Sequence, residues 1–248
     1  MENFDMLVDL YLGIHRQGPG SDEATLKALE LAGLGSEPIQ MADIGCGTGA
    51  ATVLLAQNLN ARITAVDLFA PFLQKVEEQA NQAGVAQNIT TLSCSMTDLP
   101  FPKGELDVIW SEGAIYNMGF ESGIKTMKDL LKPGGKLVVS EITWLTSNPP
   151  KAIREYWQKN YAEIGTAGEK VKVLEDNGYT LDGFFTLPQD CWHENYYQPL
   201  QKWFPDFLEK YNSTQEALDL VKGTQEEIAI YEKYSSYYSY GFYIARKL

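Results

Sequence analysis

Asp43-Ile44-Gly45-Cys46-Gly47-Thr48-Gly49 is the stretch that decides the fold. Glycines at alternate positions strip Cβ atoms from a tight loop, at an entropic cost that a chain accepts where something must come close to its backbone. Ile39 to Ile44 before it is a short apolar run, and Ala50 to Asn58 after it is rich in Ala and Leu. The order is strand, tight loop, helix, which puts loop amides and a helix N-terminus where a polar ligand can meet them. The plain alternative is a βα turn that binds nothing.

Asp67 narrows the choice. It ends the β-branched run Arg62 to Val66 and stands 22 residues beyond Gly45 (67 minus 45), where a carboxylate can accept both hydroxyls of a ribose. Capping the helix that follows is its other use, and the two roles are compatible. The loop and the carboxylate together are far more specific than either alone.

Outward from this centre, β and α patterns alternate. Asp22 to Leu34 reads as a helix capped by Ser21, Pro71 to Ala83 and Gly123 to Leu131 as further helices, and Ile89 to Cys94, Leu106 to Trp110 and Lys136 to Ile142 as strands. Such alternation closes right-handed βαβ units and a parallel sheet. Beyond Thr143 the pattern loosens. Ala152 to Ala162 reads as an aromatic-rich helix, Val171 to Asp176 as a helix, Thr180 to Leu187 as a sixth strand, Glu194 to Gln225 as helical with breaks at Pro199 and Pro205, and Tyr237 to Ala245 as a last strand. The expected fold is α/β: a Rossmann-like, seven-stranded, mostly parallel sheet with an antiparallel last strand, helices on both faces and a small helical cap. One domain is expected over 1–248, with its core at about 20–145, 170–190 and 237–248 and insertions at about 146–165 and 191–235.

Charge and composition exclude several classes. The 33 acidic residues outnumber the 20 basic ones, for a net charge of −13, which repels phosphate backbones and anionic membranes. The expected partner is a small molecule, with no nucleic acid and no membrane, and assembly into a homo-oligomer stays open. Cys46, Cys94 and Cys191 are odd in number and widely spaced, as free thiols in a reducing, cytoplasmic setting are. The start Met1-Glu2-Asn3-Phe4-Asp5 is acidic where a secretory signal is basic. Only His15 and His193 are present, without the spacing of a metal site, so no metal is expected.

The sequence resembles the class I S-adenosylmethionine-dependent methyltransferases, in particular the small-molecule group similar to the ubiquinone/menaquinone methyltransferases. Dinucleotide-binding enzymes show GxGxxG, whereas position 50 here is Ala; Met96-Thr97-Asp98-Leu99-Pro100-Phe101, Leu106-Asp107-Val108-Ile109-Trp110 and Leu130-Leu131-Lys132-Pro133-Gly134-Gly135-Lys136-Leu137 then match the family's later motifs in order. The likeness covers about residues 20–145. It implies S-adenosyl-L-methionine as cofactor and methyl transfer as activity. It further implies that Gly45 and Gly47 lie against the methionyl part, and that Asp43 and Cys46 of the same loop belong to the cofactor-binding set. By the same resemblance Asp67 holds the ribose, Leu68 lines the adenine pocket, Met96 and Thr97 meet the adenine edge, and Glu112 sits near the amino-acid tail through its backbone. Gln17 belongs to a stretch, Gln17-Gly18-Pro19-Gly20, that closes over the cofactor, and Tyr11 is a candidate wall near the sulfonium.

Methyl transfer is an in-line displacement, so the protein mainly aligns two partners and excludes water. Should the acceptor be a hydroxyl, the candidate bases are His193, His15 and Glu112, none of them compelling. Tyr116, Trp144, Tyr156, Trp157, Tyr161, Trp192, Tyr196, Tyr197, Trp203 and Phe204 cluster in the irregular regions and form an apolar lid over an acceptor, the core of the cap or an oligomer interface. Two other readings stand beside methyl transfer: a nicotinamide-dependent oxidoreductase, and a non-catalytic cofactor-binding protein on the same fold.

Overall fold

From Ile39 to Trp144 strands alternate with helices, except that no helix separates Ser93 from Leu106, in the computed structural model, which describes residues 2–248. The strands are β1 (Ile39–Ile44), β2 (Ala61–Asp67), β3 (Ile89–Ser93), β4 (Leu106–Glu112), β5 (Leu131–Trp144), β6 (Gly165–Thr166), β7 (Tyr179–Thr186) and β8 (Tyr238–Lys247). They form one sheet in the order β3-β2-β1-β4-β5-β8-β7, with β6 paired to β5 off that path. Pairing is parallel except at β8, which runs antiparallel to β5 and β7. Burial of Met41 through Ile44 without alternation fits a strand covered on both faces.

Helices α1 (Glu2–Leu12), α2 (Asp22–Ala32), α3 (Ala50–Asn58), α4 (Ala70–Gln82), α5 (Phe120–Leu130), α6 (Lys151–Asn160) and α7 (Ala167–Asp176) surround the sheet. Local chemistry sets their ends. The Ser21 hydroxyl accepts from the Ala24 amide at 3.0 Å and Gly33 closes α2 with φ of 58°, the pairing of side-chain cap and left-handed stop that satisfies orphaned backbone groups. Thr166 and Glu169 make a reciprocal capping box at the start of α7. Two apolar clusters fill the two faces, one holding Trp110, Val138 and Phe242 with the cap, the other Ile109, Val139 and Tyr243 with α5.

The cap consists of α8 (Asp190–Trp192), a π-turn from His193 to Tyr197, α9 (Gln198–Lys210) and α10 (Gln215–Tyr234). Trp192 joins it to the sheet: its ring stacks on Tyr231 at 4.3 Å and on Tyr240 at 5.3 Å, and its indole N–H donates to Ser239 Oγ at 3.0 Å.

Four features differ from the sequence reading. The sheet has eight strands rather than seven, because Gly165 and Thr166 pair with Thr143 and Trp144, a bridge too short to leave a pattern. Helix α1 was not anticipated, although Val8 and Leu10 are buried. The expected breaks at Pro199 and Pro205 are absent: Pro199 occupies the first turn of α9, where no amide is needed, and Pro205 lies inside that helix. The chain breaks instead at Asn212 and Ser213, whose φ values are 50° and 48°.

Candidate active site

Between β1 and β4 the strand order reverses, and the carboxyl ends of strands at such a point leave a crevice. A cavity of about 770 Å³ opens there, within the usual range for ligand sites. Its floor is the glycine loop. Gly45 and Gly47 have φ of 75° and 55°, and a Cβ built on Gly45 would run into Ala114, one on Gly47 into the Gln17 side chain. Both positions therefore require glycine for conformation and for space.

The loop's amides are not free for a ligand, contrary to the sequence reading. Gly45 N and Cys46 N donate to Val66 O at 2.8 and 3.0 Å, Gly47 N to Asp67 Oδ2 at 2.9 Å, and Thr48 N to Gln17 Oε1 at 2.8 Å. What the glycines supply is open space, while the amides brace the loop. Asp67 Oδ1 also accepts from Phe69 N at 3.0 Å, yet each carboxylate oxygen keeps a lone pair for another donor. Burial pushes the Asp67 carboxyl above its ordinary value, against the pull of these amides.

Gln17 lashes the segment between α1 and α2 onto this floor. Its amide N–H groups donate to Tyr11 O at 3.2 Å and Ile14 O at 3.0 Å, and its Oε1 accepts from Thr48 N and Thr48 Oγ1. Net hydrogen bonds of about 1 kcal/mol each make Gln17→Ala a change of a few kcal/mol in how firmly this segment closes. The expected result is a fall of about tenfold in affinity for a nucleoside ligand and a melting temperature lower by several degrees, read by calorimetry and a thermal melt.

Asp43 is fully buried and accepts from Thr52 Oγ1 at 2.6 Å. Burial first, and the neighbouring Glu112 and Asp67 carboxylates next, push its pKa up to about 7. Glu112 is committed to structure. Its Oε1 accepts from Thr25 Oγ1 and Trp110 Nε1, each at 2.8 Å, and its Oε2 faces Arg16 at 3.4 Å.

All ten residues named as cofactor-binding, Gln17, Asp43, Gly45, Cys46, Gly47, Asp67, Leu68, Met96, Thr97 and Glu112, line this one cavity. The candidate bases fare differently. His193 does not line it; the ring packs edge-on against Tyr231 at 5.4 Å. His15 does not line it either, and its contribution is a carbonyl that accepts from Thr48 Oγ1 at 3.0 Å. Glu112 lines it, but its carboxylate oxygens already serve Thr25, Trp110 and Arg16. None of the three is placed to act as a base.

The aromatic set divides. Tyr116, Tyr156, Trp157, Tyr161, Trp192 and Tyr196 line the cavity, as does Tyr11, whose hydroxyl lies 3.5 Å from that of Tyr196. Tyr197 and Phe204 belong to the packed core, Trp203 packs under Gly13, and Trp144 meets Tyr238 edge-on. Sequence reasoning missed Tyr240 and Glu227, which also line the cavity. The tyrosine-dense stretch from Tyr231 to Tyr243 was the signal for the first; Glu227 had none. Among the described residues no group of three or more His, Cys, Asp or Glu side chains is placed to hold a metal ion.

Comparison with known proteins agrees with this geometry. Residues 41–135 match the family model described as a methyltransferase domain. A structure of an S-adenosylmethionine-dependent methyltransferase from Geobacter sulfurreducens, solved with S-adenosyl-L-homocysteine, superposes with a TM-score of 0.85 at 18% identity, covering 98% of both chains. Phosphoethanolamine N-methyltransferase 1 of Arabidopsis thaliana is 24% identical over 139 residues, 56% of this chain and 28% of that protein. A ubiquinone/menaquinone biosynthesis C-methyltransferase of Shewanella sediminis is 26% identical over 145 residues, 56% of this chain and 55% of that one. The chain thus spans about half or less of these curated relatives. Glycine loop, strand-end carboxylate and strand order agree with that likeness: residues 41–135 are similar to a methyltransferase domain, and the whole chain has the fold of the solved S-adenosylmethionine-dependent methyltransferase.

Proposed function

We propose that the protein transfers the methyl group of S-adenosyl-L-methionine to a small-molecule acceptor. The observation that carries this reading is the continuity of one cavity from the glycine loop and Asp67 to the aromatic rings under the cap. The donor fits the first half. Asp67 offers lone pairs to a ribose diol, and the Cβ-free surface at Gly45 and Gly47 admits the methionyl chain. Leu68, Met96 and Thr97 form a wall for the base. The sulfonium supplies an electrophilic methyl carbon when bound. The chain's own residues then align an acceptor with it and keep water away, which are the two contributions an in-line displacement needs.

A small acceptor fits the second half because that half is a recess lined by Tyr156 and Trp157 of α6, Tyr196 of the π-turn and Glu227 of α10. Polyanionic partners are disfavoured by the net charge of −13. We read the protein as cytoplasmic, with support from its three free thiols; among the described residues no helix is long and apolar enough to cross a membrane. Thermal shifts with S-adenosylmethionine, S-adenosylhomocysteine and NAD, followed by transfer of an isotope-labelled methyl group to a panel of small molecules, test the reading. Stabilisation by the two sulfur nucleosides and label in a small product are expected. Stabilisation by NAD alone would support an oxidoreductase, and tight nucleoside binding without any transfer a non-catalytic binding protein.

A further inference from the structure

The second half of the cavity has an electrostatic character that the donor site does not use. Its rings include Tyr11, Tyr116, Trp157, Trp192, Tyr196 and Tyr240. Tyr240 marks the junction with the donor half, since its phenol end would lie 3.8 Å from a Cβ on Gly113, next to Glu112 at the end of β4. Among these rings stands one carboxylate, Glu227, reaching in from α10. Among the described residues its one hydrogen-bond partner is the Tyr197 hydroxyl, which donates to Oε1 at 2.9 Å. Burial pushes the carboxyl above its ordinary value and the Tyr197 bond offsets only part of that, with no nearby cation contributing. Among the described residues lining the cavity the one cation is Arg16, in the donor half and already paired with Asp22 at 2.7 Å and Glu112 at 3.4 Å.

Glu227 is half-buried on the cavity wall, and once an acceptor displaces the water beside it the carboxylate needs a positive partner or several donors. Aromatic faces attract cations and give nothing comparable to anions. A carboxylate- or phosphate-bearing acceptor would meet an unshielded like charge, and a neutral alcohol would leave Glu227 short of a counter-charge. We propose that the acceptor is an organic amine, bound as its ammonium between Glu227 and the surrounding rings, and that Glu227 takes the proton the nitrogen must lose before it reacts. The proposal rests on the methyl-transfer reading and names its substrate class. In the step, an N–H bond breaks and an O–H bond forms on Glu227, freeing the nitrogen lone pair. That pair forms the new N–C bond while the C–S bond breaks, and its electrons remain on sulfur. The products are a methylated ammonium ion, a neutral thioether and a protonated Glu227, so charge and atoms balance.

The test is calorimetric titration of phenethylamine, 2-phenylethanol and phenylacetate, and of the same three head groups on butyl bodies, into wild type and Glu227→Gln. Each series is run with and without saturating S-adenosylhomocysteine, whose own affinity is measured first. The expected result is an amine at least tenfold tighter than the matched alcohol, with no detectable carboxylate binding. Glu227→Gln, which keeps a side-chain oxygen for the Tyr197 hydroxyl, should erase that preference while leaving the S-adenosylhomocysteine affinity unchanged. Equal or undetectable binding across head groups in wild type, or a preference that survives Glu227→Gln, overturns the proposal. Failure of S-adenosylhomocysteine itself to bind would instead sink the methyl-transfer reading, because the head-group preference is measured independently of it.

Discussion

Asp67→Ala should weaken S-adenosylhomocysteine binding by about 10²- to 10⁴-fold while leaving the protein folded. A charged acceptor serving two hydroxyls contributes about 1.5–3 kcal/mol per bond, and at 1.4 kcal/mol per decade two such bonds give that range. Stability should change much less. The substitution removes the acceptor for Gly47 N and Phe69 N, but it also removes a carboxylate whose pKa is raised by burial, a sign that the fold partly disfavours its charge. These contributions oppose one another, so a shift of no more than a few degrees in melting temperature is expected. Calorimetry with a parallel thermal melt separates the two readouts. An affinity within threefold of wild type would remove Asp67 from the ribose site.

The second large effect is on stability as a function of pH, and it centres on Asp43. Its pKa is about 7 in the folded chain against a reference of 3.8. Between those values the folded state holds a proton that the unfolded state has released, so stability is greatest at the acid end and is lost as pH rises toward 7. The full excursion is on the order of 4 kcal/mol. Asp67, Glu141 and Glu227 are shifted in the same direction by burial, so wild type alone would not isolate Asp43. Asp43→Asn retains an oxygen for Thr52 and cannot ionise. Denaturant unfolding of both proteins from pH 4 to 8 should show wild type losing several kcal/mol relative to Asp43→Asn; parallel curves would contradict the buried, proton-holding carboxyl.

The parts of the site that could be read from the sequence are those made by contiguous chain. Gly45, Gly47 and the strand-end Asp67 announce themselves because a βα turn and the residue closing the next strand have fixed relative positions in this sheet. The same reading misassigned the loop amides, since their acceptors arrive from elsewhere, Val66 O from the neighbouring strand and Gln17 from before α2. The acceptor chamber was least legible. Glu227 sits in Gln225-Glu226-Glu227, which reads as a solvated helix face, and only the packing of α10 against α9 and α1 brings it to the cavity. Trp192, Tyr196 and Tyr197 are spaced four and five apart, and the π-turn that gathers them has no signature in composition. His193, inside that turn, was named for its chemistry alone, and the fold directs its ring to Tyr231.

The most direct measurement is a crystal structure of the protein grown with S-adenosylhomocysteine. The ribose diol should lie within hydrogen-bond distance of Asp67, the amino-acid chain should run over Gly45 and Gly47, and the sulfur should point toward Tyr240 and the cap. A nucleoside lying off the glycine loop, or a sulfur directed away from the aromatic chamber, would contradict the shared cavity on which donor and acceptor are brought together.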